Sequence, residues 1–227
     1  MFFRKKIYTP ELISLHIPKT AGTSFRNILK SVYGDTLVVR FDINKKGVKL
    51  NQQPYSSSDL PSAKVLHGHF RYIELKKRFD LPENIQKITW VRDPVQRVLS
   101  NYYYLDSQLK KFLNEEGKGI NILSKMKRSL LEFAQNEINQ NRQSKFLEGI
   151  NLEEFDFVGI TEYFEEDLVK VADVLDWPET PKPIYQNKTA SKNRIYSESI
   201  LDDIAALNKR DMDLYKQALI LRNKPIL

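Results

Sequence analysis

Lys19, Thr20, Gly22, Thr23 and Ser24 lie in HIPKTAGTSF (16 to 25), a glycine-containing turn between a short apolar run and a segment of helical spacing. Such a turn presents backbone N–H groups and the positive end of a helix dipole, which together favour a bound anion. The triphosphate version of the loop is GxxxxGK[ST], whose lysine follows the second glycine and whose hydroxyl binds Mg²⁺. Here Lys19 comes before Gly22, and no clear aspartate ends an apolar strand to hold the metal. The loop is expected to bind phosphate, and triphosphate hydrolysis is disfavoured. The competing reading is that Thr20, Thr23 and Ser24 only cap a helix and Lys19 is solvated.

Two further constellations could act on the same ligand. Arg92 ends the run KITWVR, and Ser100 lies two turns into the helical segment that follows, so strand tip and helix could grip one anion. Taken alone, the pair reads equally as a salt bridge and a packing serine. HGHF places His67 and His69 two apart, so in an extended strand they share a face and project beyond the sheet's carboxyl end, next to the phosphate loop. An imidazole with an ordinary pKa near 6.5 can remove a proton at neutral pH. The alternative is a pair of structural strand-end histidines. His16, just before the loop, is expected to pack or hydrogen-bond within the sheet.

The elements that must position these groups are readable as a βαβ rhythm. LISLHI (12 to 17), KVLHGH (64 to 69), KITWVR (87 to 92) and DFVGI (156 to 160) are strand-length apolar runs, each followed by a segment of helical character. This predicts an α/β fold with a parallel sheet flanked by helices. FRNILKSVYG should end at a C-cap Gly34, and the helix from Pro94 should be capped by Asp93 with Val95, Val98, Leu99 and Tyr102 along one stripe. Residues 162 to 175, 122 to 147 and 199 to 222 also read as helix, the latter two as helical insertions. Residues 43 to 62 and 178 to 197 read as long irregular loops. Of the three tyrosines 102 to 104, at least one belongs to the core.

The 227-residue chain, with 41% hydrophobic residues, suits one domain over residues 1 to 227. The lack of cysteine excludes disulfides and thiolate chemistry, and three histidines make a histidine-rich metal site unexpected. No run approaches the ~18 apolar residues of a membrane span, so a soluble cytoplasmic protein is expected. The net charge is +7; residues 151 to 183 carry ten acids and two bases, leaving the remainder strongly basic. An anionic partner fits that remainder.

HIPKTAGTSF followed by TWVRDPVQRVLSNYYY closely resembles the two nucleotide-binding motifs of sulfotransferases, in particular the carbohydrate group that includes heparan sulfate 2-O-sulfotransferase. HGHF, NRQSKFLEG and FVGITEYFEEDL resemble the same group in the same order, so the likeness covers roughly residues 12 to 192. It implies a P-loop-NTPase-like fold and 3′-phosphoadenosine 5′-phosphosulfate (PAPS) as donor, with no metal. By motif position Lys19, Thr20, Gly22, Thr23 and Ser24 receive the 5′-phosphosulfate, and Arg92 and Ser100 the 3′-phosphate. A late loop that covers the nucleotide would be QNKTASKNR, through Lys188, Ser191, Lys192 or Arg194.

Sulfuryl transfer needs a cation at the leaving oxygen, which suits Lys19, and a base on the acceptor hydroxyl. The resemblance places that base at one of the HGHF histidines, His69 being favoured narrowly over His67. Asn141 and Gln143 in NRQSKFLEG are expected to face the acceptor. The acceptor is expected to be a hydroxyl-bearing carbohydrate, with the basic surface hinting at an acidic one. A small-molecule kinase is the second reading, opposed by the position of Lys19. A basic nucleic-acid-binding module is the third, and no RNP-like sequence supports it.

Overall fold

The computed structural model describes residues 7–114, 128–183 and 196–223. Its centre is a seven-stranded sheet in the order β4-β3-β2-β5-β1-β6-β7. The strands are β1 (Leu12–Leu15), β2 (Val38–Asn44), β3 (Gly47–Leu50), β4 (Gln53–Tyr55), β5 (Val65–Gly68), β6 (Gln86–Val91) and β7 (Phe157–Ile160). β2, β5, β1, β6 and β7 run parallel, and β3 and β4 add an antiparallel edge. Every residue of β1 is buried, because helices cover both faces of a central parallel strand. Leu12 points into one apolar layer with Phe25, Ile28, Trp90 and Leu168, while Ile13 and Leu15 point into the other with Phe41, Leu66 and Leu75.

The helices of these layers follow from sequence spacing. α1 (Gly22–Tyr33) buries Phe25, Ile28 and Leu29, one stripe at three- and four-residue intervals, and stops at Gly34, whose φ of 93° suits glycine. α2 (Tyr72–Arg78) follows β5, and α3 (Pro94–Asn114) follows β6 with the Asp93 carboxylate accepting from the Gln96 N–H at 2.8 Å. The expected stripe on α3 is partly right: Val98, Leu99 and Tyr103 are buried.

Three expectations are corrected. The stretch 43 to 62, read as irregular, extends the sheet as β3 and β4, joined by Asn51 and Gln52. Both have positive φ (49° and 71°), the conformation of a tight two-residue hairpin turn, and Pro54 sits on the edge strand where its missing N–H is tolerated. The helix read over 122 to 147 is, among the described residues, two short helices, α4 (Leu130–Gln135) and α5 (Arg142–Phe146). Asn136 bonds the Ile138 N–H and Asn141 takes a left-handed φ of 48°, local asparagine conformations that compete with a continuous helix. The helix read over 199 to 222 breaks at Asn208 into α7 (Glu198–Leu207) and α8 (Lys209–Arg222), after α6 (Phe164–Val174). α3, α4 and α7 form a separate apolar cluster beside the sheet. Among the described residues no helix is long and apolar enough to cross a membrane.

Candidate active site

β1 is the point at which strand order reverses, with β5 and β2 on one side and β6 and β7 on the other. A crevice opens outside the carboxyl ends of the strands at such a point. The loop after β1, His67 and His69 at the end of β5, and Arg92 after β6 all lie there.

The loop is built to face an anion. Lys19 and Ala21 have φ of 76° and 61°, left-handed conformations that cost a non-glycine residue about 1–2 kcal/mol each. Alternating left- and right-handed residues turn successive N–H groups into one concavity. Ala21 is the N-cap of α1; it supplies no side-chain cap, and the first turn carries no acid, so the helix dipole is not neutralised from within. The capping alternative for Thr20 is replaced by another role, since its hydroxyl donates to the Ile17 carbonyl at 2.9 Å and holds the loop closed. A Cβ on Gly22 would sit 1.9 Å from the His16 ring. Glycine is therefore required for the loop backbone to lie against that imidazole.

Lys19 bridges the loop to the other side of the crevice. Its ammonium sits 3.9 Å from the centre of the Tyr104 ring on α3, and its carbonyl accepts from Arg92 Nη1 at 3.3 Å. Burial, then the nearby Arg92 guanidinium, holds the Lys19 pKa down at about 8. Ser100, buried at 4% exposure, lies one turn before Tyr104 on the same face of α3, so it is turned toward the loop. The three tyrosines thus divide: Tyr103 is buried, Tyr102 packs on Phe133, and Tyr104 supports Lys19.

Arg92 is held by its backbone. The Gln143 side chain accepts from the Arg92 N–H at 2.9 Å and donates to the Arg92 carbonyl at 2.8 Å. Gln143 is fully buried, and Asn141 is tied to Asn208, at the break between α7 and α8, and to Asp211 of α8. Neither is placed to face an acceptor, which corrects that expectation: they brace the strand tip. The Arg92 guanidinium also lies 3.6 Å from Glu162, a carboxylate whose pKa burial raises.

The three histidines form one cluster. His16 stands 5.0 Å from His67 and 4.2 Å from His69, centroid to centroid. His16 does bond within the sheet, its N–H donating to the Gly68 carbonyl, yet its ring also lines the site. His67 does not project beyond the strand as expected. It is buried at 2% exposure with Nδ1 2.9 Å from the Ser14 hydroxyl, because β5 is an interior strand flanked on both sides. His69 lies past the strand end, half-buried. Its Nδ1 donates to the His16 carbonyl at 2.7 Å, since a carbonyl can only accept, and this leaves Nε2 with its lone pair. Burial lowers all three pKa values, His67 to about 3, with repulsion from the neighbouring imidazoles adding at His16 and His67; the His16 carbonyl and Asp42 partly offset the effect of burial at His69.

Asp42, Arg40, Arg26 and Glu162 were not singled out from the sequence. Asp42 accepts from the His69 N–H at 2.8 Å and from Arg40 Nε at 2.7 Å, fixing both. The apolar alternation of VVRFDI could have revealed β2 and hence both residues. Arg26, one turn after Thr23, lines a cavity of about 80 Å³ with Thr23, Arg40 and the three histidines. Lys188, Ser191, Lys192 and Arg194 lie outside the described residues. No group of three or more His, Cys, Asp or Glu side chains among the described residues could hold a metal ion.

Comparison with known proteins bears on this geometry. Heparan sulfate 2-O-sulfotransferase 1 of Homo sapiens and of Pongo abelii are each 32% identical over 104 residues, 41% of this chain and 29% of the relative. The Gallus gallus protein of the same name is 30% identical over 103 residues. The aligned stretch thus spans under a third of these relatives' own length. A crystal structure of mouse sulfotransferase SULT7A1 complexed with PAP aligns over 88% of this chain and 65% of that one, at 12% identity and a TM-score of 0.45. The sequence model of the Sulfotransferase family matches residues 7–217. With that match over most of its length, the chain belongs to the sulfotransferase family.

Proposed function

We propose that the protein moves a sulfuryl group from PAPS to a hydroxyl of a carbohydrate acceptor. The observation that carries this reading is the convergence of an uncapped anion-facing loop, a histidine with a free Nε2 and a half-buried arginine at the carboxyl ends of β1, β5 and β6. The carbohydrate class is taken from the named activity of the heparan sulfate relatives.

In this reading the 5′-phosphosulfate lies against the loop of Lys19, Thr20, Gly22, Thr23 and Ser24, and the 3′-phosphate reaches Arg92 and Ser100. His69 Nε2 takes the acceptor proton as the new oxygen–sulfur bond forms. The bond from sulfur to the bridging phosphate oxygen breaks in line, and Lys19 faces the charge that develops there. His69 is preferred to His67 because its tautomer is set by a carbonyl and its ring reaches past the strand, while His67 is enclosed. His67 then supports the cluster from below through Ser14.

Calorimetry with adenosine 3′,5′-bisphosphate tests the donor: micromolar binding to the folded protein is expected, and no binding would overturn the assignment. His69→Ala should lower kcat by about 10²–10⁴ while leaving bisphosphate affinity unchanged. Full turnover in that variant would exclude His69 as the base.

A further inference from the structure

We infer that Glu162, held in place by Tyr215, is a positioning residue for Arg92 and sets the preference for nucleotides that carry a 3′-phosphate over those that lack one. The inference rests on the sulfotransferase reading, which places the 3′-phosphate at Arg92, and adds to it the groups that aim that side chain.

The tip of β6 is held at three successive residues. The Val91 carbonyl accepts from the Thr161 hydroxyl at 2.9 Å, both backbone groups of Arg92 pair with Gln143, and the Asp93 N–H donates to the Glu162 carboxylate at 3.2 and 3.3 Å. Thr161 and Glu162 reach the tip because β7 runs parallel to β6 with Ile160 beside Val91, and the chain then turns into a short 3₁₀ helix, Thr161–Tyr163. Glu162 also acts on the side chain. Its Oε1 faces Arg92 Nε at 3.6 Å, while Arg92 Nη1 donates to the Lys19 carbonyl at 3.3 Å. Lys19 follows β1 and Glu162 follows β7, the two strands that flank β6, so the guanidinium is steered from both sides. Nη2 makes no hydrogen bond among the described residues and keeps its donors for a ligand.

At 3.6 Å the contact with Glu162 is too long for a hydrogen bond, and Arg92 Nε is buried without one. Glu162 therefore orients the guanidinium by charge and takes none of the donors that a phosphate needs. The carboxylate is itself fixed from α8, where the Tyr215 hydroxyl donates to Oε2 at 3.2 Å. Burial, then the adjacent Glu162 carboxylate, pushes the Tyr215 pKa up, so this hydroxyl keeps its proton and remains a donor. Charge-assisted bonds from guanidinium to phosphate depend on direction. A side chain already aimed loses little further freedom when the phosphate docks, and that saving applies only to nucleotides with a 3′-phosphate.

Calorimetry with adenosine 3′,5′-bisphosphate and adenosine 5′-monophosphate reads this preference directly, since the two differ only in the 3′-phosphate. The wild type should favour the bisphosphate by at least about tenfold. Tyr215→Phe keeps the ring and the charge of Glu162, and Glu162→Asp keeps the charge while shortening the side chain by one methylene. Each should weaken bisphosphate binding by about five- to tenfold and leave monophosphate binding as it was. Equal losses for both nucleotides would reduce the pair to a structural role and overturn the inference. Unchanged bisphosphate affinity in either folded variant would overturn it as well, and tighter binding would make Glu162 a competitor of the phosphate instead. A wild type that binds the two nucleotides equally would refute the placement of the 3′-phosphate at Arg92, and the inference would fall with it.

Discussion

Lys19 meets two demands that conflict at high pH. It must be charged to face the donor's leaving oxygen, yet burial and Arg92 hold its pKa at about 8 in the free protein. A bound phosphate would raise that value, so binding above pH 8 must take up a proton. Bisphosphate affinity is therefore expected to fall by up to about tenfold per pH unit above 8, with proton uptake visible by calorimetry in buffers of different ionisation enthalpy. Affinity that stays level from pH 8 to 10 would remove this account. Lys19→Arg should flatten the pH profile, because guanidinium remains charged throughout. The loop residues were readable from their types and spacing. The tautomer of His69 was not, because the His16 carbonyl that sets it lies 53 positions away in sequence.

The elements around the strand tips act as braces. Gln143 on α5 pairs both backbone groups of Arg92, and Asp211 on α8 holds α5 by accepting from the Gln143 N–H, the Ser144 N–H and the Ser144 hydroxyl at 2.7–3.0 Å. Gln143→Ala should leave buried backbone groups unpaired, costing about 2 kcal/mol in urea unfolding. Bisphosphate affinity should drop by about tenfold as Arg92 loosens, though Gln143 touches no ligand in the proposed complex. Unaltered affinity with reduced stability would limit Gln143 to a structural role. On β7, a Cβ at Gly159 would come 2.4 Å from the Trp90 ring. Gly159→Ala should destabilise by about 1–3 kcal/mol through overpacking, read as a lower urea midpoint with unchanged slope. At this scale the parallel strands and their helices were legible from apolar runs and helical spacing. The β3 and β4 hairpin was not, since its turn uses Asn51 and Gln52 without glycine and its strands are only four and three residues long, with no fully buried position.

Across the whole molecule, charge is partitioned and partly used. The acidic stretch 151 to 183 is not merely a solvated face: Asp156 accepts from the Lys87 N–H, Asp167 from the Ile160 N–H and Arg222, and Glu162 lies beside Arg92. The basic surplus surrounds the crevice through Lys19, Arg26, Arg40 and Arg92. The histidine cluster links this site to global stability. Folded-state pKa values below the ordinary 6.5 mean that the unfolded chain binds more protons between those values, so stability is complete above about pH 6.5 and is lost as pH falls through the window. For His67 the window extends down to about 3, with a slope of up to about 1.4 kcal/mol per pH unit. Urea unfolding at pH 7, 5.5 and 4.5 should show this loss, and His67→Gln should flatten it by about one proton. A variant as acid-sensitive as the wild type would show that His67 is not a source of the effect.

By itself the sequence determined the chemistry on offer and the elements that carry it. An anion-facing loop, a pair of histidines two apart and an arginine at a strand tip are local patterns, set by residue type and by periods of two and 3.6. Only the tertiary structure decided which histidine is enclosed, that His16 completes the cluster, and that Gln143 serves Arg92 and not an acceptor. These depend on strand order and on contacts between distant segments: β5 inserts between β1 and β2, and α8 returns to hold α5. Burial and partner atoms, which set the pKa and tautomer of a side chain, arise from that assembly and have no period along the chain.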